Sequence, residues 1–202
     1  MLINIAKIDK NCKVLGPGKR YIIWVQGCFF NCKGCYNTEY QSFEKKILID
    51  TEKIINDILS LKSNIEGVTF LGGEPLLQAK QLALIAQKCQ ENNLSVLCYT
   101  GFEYENLKKD KNENVEELFK YIDVLIDGLY IEKLAINREF KGSSNQKIIY
   151  FTNRYSKKDF DVENINVVNP SEMTPHYLGQ NYIMKVIGND SEQGIEDIEI
   201  IK

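Results

Sequence analysis

The sequence has little that points to a membrane, to nucleic acid or to an oxidising compartment. No apolar run approaches the roughly 20 residues that a membrane-spanning helix needs, and the opening stretch, MLINIAKIDKNCKVLG, lacks the charged-then-apolar layout of a secretion signal. A cytoplasmic protein with no membrane partner is therefore expected. There is no basic excess: the net charge is −3, which argues against a broad nucleic-acid surface while leaving room for a small basic pocket. Six cysteines in 202 residues are too few for a disulfide scaffold. The single histidine, His176, follows Pro175 and reads as a surface residue. Internal repeats, low-complexity tracts and long linkers are also missing. What remains is ordinary globular composition, 44% hydrophobic and 26% charged, at a length that allows one proper core but no second full domain.

The apolar pattern alternates short runs with longer amphipathic stretches. Tyr21–Val25, Val68–Leu71, Ser95–Tyr99 and Val124–Ile126 read as buried strands. Thr51–Leu61, Leu76–Asn93 and Val115–Tyr121 read as helices, the first capped by Asp50 or Thr51. On the second helix, Leu77, Leu82, Leu84, Ile85 and Cys89 are the expected inward positions. Lys108 to Glu117 reads as a solvated loop running into a helix, and Lys147–Phe151 and Asn181–Ile187 as later apolar segments, the latter a strand. Strands alternating with helices predict an α/β fold built on a parallel sheet. In such sheets chemistry collects beyond the carboxyl ends of the strands. Four segments follow strands here: the cysteine loop, Gly72–Pro75, Thr100-Gly101 and Asp127-Gly128. All four are expected on one edge.

Three cysteines, Cys28, Cys32 and Cys35, stand within eight residues in the spacing C-x3-C-x2-C. Cubane clusters normally take four thiolates. Three local thiolates with no fourth nearby leave one iron open, and an open metal position is where a substrate binds. Two other arrangements are compatible with the spacing: a zinc site completed by Cys12, and an electron-transfer cluster completed by Cys89 or Cys98. Zinc sites favour paired C-x2-C units, and a second pair is missing. Cys12, Cys89 and Cys98 otherwise read as small buried hydrophobes.

The C-x3-C-x2-C motif followed by Tyr36 resembles the radical S-adenosylmethionine (SAM) superfamily, and within it the activating enzymes of glycyl radical proteins. Gly72-Gly73-Glu74-Pro75 resembles the superfamily's SAM-binding motif, and Gly16-Pro17-Gly18-Lys19-Arg20 the G-P-G-x-R segment of the activators. Trp24-Val25-Gln26-Gly27-Cys28, Gly34-Cys35-Tyr36-Asn37, Tyr99–Phe102, Asp123–Gly128 and Gly142–Gln146 are most similar to activators of anaerobic (class III) ribonucleotide reductases. The resemblance covers Gly16 to Ile149. Two departures stand out: the family's D-G-P-F reads Asp127-Gly128-Leu129-Tyr130, and the chain continues from Phe151 to Lys202 beyond the compact activators.

The resemblance implies a partial, open β/α barrel of parallel strands, with a core over residues 1–152 and an extension over 153–202. It implies one [4Fe–4S] cluster on Cys28, Cys32 and Cys35, with SAM on the open iron. Gly72, Gly73 and Glu74 are then the binders of the SAM amino group, and Gly34 and Tyr36 border the adenine. Thr100 and Asp127 are candidates for the ribose or carboxylate edge of SAM, or for a cation beside it, although Asp127 equally suits an Asp-Gly turn. Ser143, Ser144 and Asn145 either line the cofactor or form a turn, and Arg20 either faces the anionic end of the site or caps the first strand. The implied partners are a large glycyl radical enzyme and flavodoxin or ferredoxin as electron donor. Two other functions fit the same motif: modification of a peptide or small molecule, and a regulatory iron–sulfur or zinc module without turnover.

Overall fold

A computed structural model describes residues 1–161, together with the short strand pair Met173–Thr174 (β10) and Lys185–Val186 (β11). His176 and, apart from Lys185–Val186, the expected strand over Asn181–Ile187 lie outside the described residues. The framework is a seven-stranded sheet in the order β3-β1-β2-β4-β5-β6-β9. Its centre is parallel: β2 (Arg20–Val25), β4 (Gly67–Gly72), β5 (Ser95–Tyr99) and β6 (Val124–Asp127) run side by side in one direction. These are the four strands read as short apolar runs, and strands covered on both faces read in that way.

The flanks depart from an all-parallel arrangement. β1 (Leu2–Cys12) pairs antiparallel with β2, β3 (Ile47–Asp50) antiparallel with β1, and β9 (Lys147–Tyr150) antiparallel with β6. A strand that returns directly along its neighbour runs antiparallel, whereas parallel neighbours need a crossover. The sheet begins at β3 and ends at β9, so it is open. A hairpin of β7 (Ala135–Arg138) and β8 (Lys141–Ser143) stands apart from it.

Helices supply the crossovers. α1 (Thr51–Ser60) is capped by Asp50, whose carboxylate accepts the Glu52 N–H at 2.9 Å. A 3-10 turn over Pro75–Gln78 leads into α2 (Ala79–Glu91), and α3 (Tyr104–Asp110) and α4 (Glu113–Phe119) both lie between β5 and β6. The segment read as a solvated loop from Lys108 is therefore the last turn of α3. A break at Lys111, in left-handed conformation with φ 46°, separates it from α4, which Asn112 caps. On α2, Leu82, Ile85 and Cys89 are buried as expected, whereas Leu77 and Leu84 are 43% and 39% exposed. Leu84 falls off the stripe that Leu82, Ile85, Ala86 and Cys89 define at helical spacing, and Leu77 sits in the 3-10 turn, where the phase differs.

One face of the sheet packs on these helices. Ile23, Phe70, Val96, Cys98 and Leu125 meet Ile54, Ile58, Leu82, Ile85 and Leu118. Alternation along the strands turns Leu97, Val124 and Ile126 to the other face, where Tyr155 and Phe160 cover them. Tyr155 also reaches polar partners, its hydroxyl lying 2.7 Å from Ser95 Oγ and 2.9 Å from Glu66 Oε1.

Arg20 lies at the start of β2, the end of the strand away from the cysteine loop. It is fully buried and donates to Thr69 Oγ1 (2.6 Å), Ser95 Oγ (2.9 Å), Pro17 O (3.1 Å) and Val68 O (2.5 Å). It braces the strand bottoms and does not face the loops that carry the candidate site. Replacing it by an apolar side chain leaves buried acceptors such as Val68 O and Thr69 Oγ1 without their donor, a combined cost of about 3–5 kcal/mol. Arg20→Leu is expected to lower stability by about that amount in urea unfolding.

Candidate functional site

β2 delivers the ligand loop. After Val25 the chain turns at Gly27, where φ is +101°, and the loop is clasped at its base by Gly27 N to Tyr40 O (2.8 Å) and Cys28 N to Gln41 O (3.0 Å). Within it, Asn31 and Gly34 take left-handed conformations, with φ of 47° and 71°. The Cys35 N–H donates to Cys32 O at 3.1 Å, and the Asn37 N–H approaches Cys35 Sγ at 3.5 Å. Cys28, Cys32 and Cys35 are all free and partly exposed. Burial raises the Cys28 thiol above its ordinary range, with Glu74 and the other two cysteines adding to the effect against the backbone N–H of Phe30. Burial likewise raises Cys32, with Cys35 adding. Metal binding needs the thiolates, so loading this loop releases protons.

The donor set suits a cubane with an open iron. Cys12 pairs with Arg20 at the far end of β2, Cys89 lies in α2, and Cys98 lies within β5 on the helix-covered face. Burial pushes their thiols up, to about 11 for Cys12, about 12 for Cys89 and well above the usual value for Cys98. None of them is placed to complete a zinc site or a four-cysteine cluster at the loop. Among the described residues no three His, Cys, Asp or Glu side chains converge on a single ion. A cubane does not ask for such convergence, because each thiolate takes a separate iron.

β4 delivers the glycines. Gly73 N donates to Val25 O (2.7 Å) and Glu74 N to Gly27 O (2.8 Å), so this loop lies directly against the base of the cysteine loop. A Cβ on Gly73 would stand 2.3 Å from Gly27 O, backbone against backbone. Gly72 has φ +114°, and a Cβ there would meet Val25 N at 2.5 Å. Gly73→Ala is therefore expected to cost about 2–4 kcal/mol of stability and to lower cluster loading. Thermal unfolding of the cluster-free protein and iron content after reconstitution check this.

Glu74 is 1% exposed, yet both of its oxygens are engaged. Oε1 accepts from Leu76 N (2.9 Å) and Thr100 Oγ1 (2.8 Å), and Oε2 accepts from Gly101 N (2.8 Å). Burial pushes its carboxyl up to about 7, against three hydrogen bonds that pull it down. A carboxylate has about four acceptor positions, which leaves Oε2 free to take a further donor such as an ammonium group.

The remaining predicted residues fall into two sets. Thr100 joins the β5 loop to Glu74 and is part of this cradle. Gly34 and Tyr36 are held from the β6 side: the Tyr36 ring packs on Tyr130 with centroids 4.8 Å apart, and Glu132 crosses Gly34 and pairs with Lys33 at 3.3 Å. Asp127 is buried, accepting Tyr104 N (2.8 Å) and Lys147 N (3.2 Å), which makes it a brace between α3 and β9. Ser143 Oγ accepts Ile131 N, Ser144 N donates to Leu134 O and Asn145 Nδ2 to Leu129 O, so this segment brackets the β6 loop. Reading the sequence placed Phe102 and Tyr130 in family-like segments but gave neither a role as an aromatic neighbour of the cysteine loop. The Phe29-Phe30 pair between two ligands was the available signal.

Comparison with known proteins agrees with this geometry. The 4Fe-4S single cluster domain family matches residues 14–149. The anaerobic ribonucleoside-triphosphate reductase-activating protein of Haemophilus influenzae is 35% identical over 146 residues, covering 67% of this chain and 90% of that protein. Its namesake from Enterobacteria phage T4 is 32% identical over 152 residues, 72% and 93% of the two chains. The pyruvate formate-lyase-activating enzyme of Staphylococcus aureus is 30% identical over 160 residues, 76% of this chain and 63% of the enzyme. With three partly exposed thiols, a glycine-lined carboxylate beside them and these relatives, the chain belongs to the 4Fe-4S single cluster domain family, as one of the radical SAM enzymes that activate glycyl radical proteins.

Proposed function

We propose that this enzyme generates the glycyl radical of an anaerobic ribonucleoside-triphosphate reductase. One observation carries the reading: the loops after β2, β4 and β5 are hydrogen-bonded into a single cradle, with the Gly73 and Glu74 amides on the cysteine loop and the Glu74 carboxylate on Thr100-Gly101. Its sequence similarity spans 90% of the Haemophilus activator, which supports this target.

Cys28, Cys32 and Cys35 would hold the cluster. When bound, the [4Fe–4S] centre would supply the single electron, received from flavodoxin or ferredoxin, for reductive cleavage of SAM to methionine and for the hydrogen abstraction at a glycine α-carbon that yields 5′-deoxyadenosine. The chain's residues orient the reactants. Glu74 Oε2 would take the SAM ammonium, Gly72 and Gly73 would let the cofactor approach backbone, and Tyr36 and Gly34 would border the adenine. Thr100 fixes the Glu74 carboxylate, and Asp127 holds the β6 loop at the edge of the cofactor. The open, mostly parallel sheet is compatible with a partial barrel, in which the partner would present its glycine as a backbone segment.

The same reading divides the chain into a core over residues 1–152 and an extension over 153–202. The burial of Tyr155 and Phe160 on the sheet supports an extension that continues the core. No helix among the described residues is long and apolar enough to cross a membrane. The reading also takes the enzyme to be cytoplasmic, with flavodoxin or ferredoxin as its electron donor.

The test is anaerobic incubation of reconstituted protein with the reductase, SAM and reduced flavodoxin, read by electron paramagnetic resonance. A glycyl radical on the reductase, with 5′-deoxyadenosine formed, is the expected result. A reductase that stays radical-free while 5′-deoxyadenosine accumulates excludes this target.

A further inference from the structure

Three aromatic rings stand where the cysteine loop meets the β5 loop. Phe29 and Phe30 occupy two of the three positions between Cys28 and Cys32, with ring centroids 4.6 Å apart. Phe102 meets Phe30 edge to face at 4.9 Å and Phe29 at 5.8 Å. Such edge-to-face contacts are directional, so they set orientation as well as separation.

Phe102 is suited to act as a fixed post. Its ring is half-buried against the helix-side core. Its N–H donates to Thr100 Oγ1 at 3.1 Å, and its carbonyl accepts Gly128 N at 2.9 Å. Thr100 in turn donates to Glu74, so one short segment touches the carboxylate on one side and the ligand loop on the other. Gly101 makes the approach possible, since a Cβ there would meet the Phe30 ring at 2.6 Å. Phe29 is 52% exposed, so the cluster of rings does not exist merely to bury that side chain.

We propose that Phe102 is a positioning residue whose ring holds the Cys28–Cys32 half of the ligand loop at a set distance and angle from the Glu74 carboxylate. The inference rests on the reading of this site as a cluster and SAM site. A displacement of about 1 Å between reacting groups costs on the order of 100-fold in rate, so loss of the post registers in turnover before it registers in folding.

The test uses the full chain, reconstituted anaerobically, as wild type, Phe102→Leu, Phe102→Ala and Phe102→Tyr. Iron and sulfide per chain are measured first. The resonance spectrum of the reduced cluster is then recorded before and after SAM, with kcat and KM for 5′-deoxyadenosine formation. In the Leu and Ala variants, iron content holds, the SAM-induced spectral change shrinks, and kcat falls roughly 10- to 100-fold with a smaller change in KM. Phe102→Tyr, which keeps the ring, restores both signals. A purely structural role would lower the loaded fraction and leave kcat per cluster and the SAM-induced change intact. That outcome in Phe102→Leu, which keeps most of the volume should the Ala variant not fold, overturns the proposal. A loaded wild type that gives neither product nor a SAM-induced change overturns the underlying reading of the site, and this inference with it.

Discussion

Cys32→Ala is expected to reduce 5′-deoxyadenosine formation to background and to strip the protein of most of its iron. A cubane held by three thiolates has no spare protein ligand, and the remaining cysteines are buried in β1, α2 and β5, outside the loop. Cys28→Ala and Cys35→Ala are expected to behave in the same way. The contrast comes from Cys89→Ala. It removes a buried sulfur from the helix-side core, costs about 1–2 kcal/mol of stability, and leaves iron content and product formation per cluster at wild-type values. Absorbance of the reconstituted cluster, acid-labile sulfide and product chromatography on the set of variants check this. Loss of the cluster in Cys89→Ala, or its retention with turnover in Cys32→Ala, would move the ligand set elsewhere.

Glu74→Gln carries the second large effect, and it divides function from stability. In the proposed function this carboxylate pairs with the SAM ammonium, and losing one partner of a buried charged pair costs about 2–5 kcal/mol. A fall of roughly 100-fold in kcat/KM for SAM cleavage follows, at unchanged iron content. Stability shows the opposite dependence. Burial raises the folded-state carboxyl from 4.5 to about 7. A raised folded value means that Glu74 is tolerated best while protonated, so its stabilising contribution is full below the unfolded value and is lost as pH rises through about 7. The gap of about 2.5 units corresponds to roughly 3 kcal/mol. Urea unfolding of the cluster-free proteins at pH 4.5 and pH 8 is expected to show wild type losing about that much more stability than Glu74→Gln across the interval. Parallel pH profiles for the two proteins would show that the hydrogen bonds from Leu76, Thr100 and Gly101 outweigh burial and keep Glu74 ionised in both states. Burial thus makes a charge on Glu74 costly in the cluster-free protein, a cost of the kind that functional sites commonly carry.

Much of this arrangement is written locally. The ligand loop is readable because C-x3-C-x2-C is a chemical requirement met within eight residues, and Gly72-Gly73-Glu74-Pro75 because close backbone approach demands glycine. The central strands are readable because Tyr21–Val25, Val68–Leu71 and Val124–Ile126 are largely buried on both faces and so are mostly apolar, Thr69 being the polar exception. The flanking strands are less so. β3 has only four residues, half of them exposed, and its strand character comes from pairing with β1, forty-odd positions earlier. α3 was obscured for a similar reason: the charged run from Lys108 suits a solvated helix turn and a loop equally well.

Residue types and their spacing along the chain therefore determined the three-cysteine loop, the glycine loop and the alternation of strands and helices, since each is a short-range condition on covalent geometry or burial. Tertiary structure alone decided which of the strand-end residues meet. It set Thr100 against Glu74 and Asp127 against Tyr104 and Lys147, sent Arg20 to the far end of the sheet, and packed Phe102 on Phe30 of the cysteine loop. These contacts join residues 20 or more positions apart. They depend on strand order, register and direction, which the burial pattern of one strand does not contain.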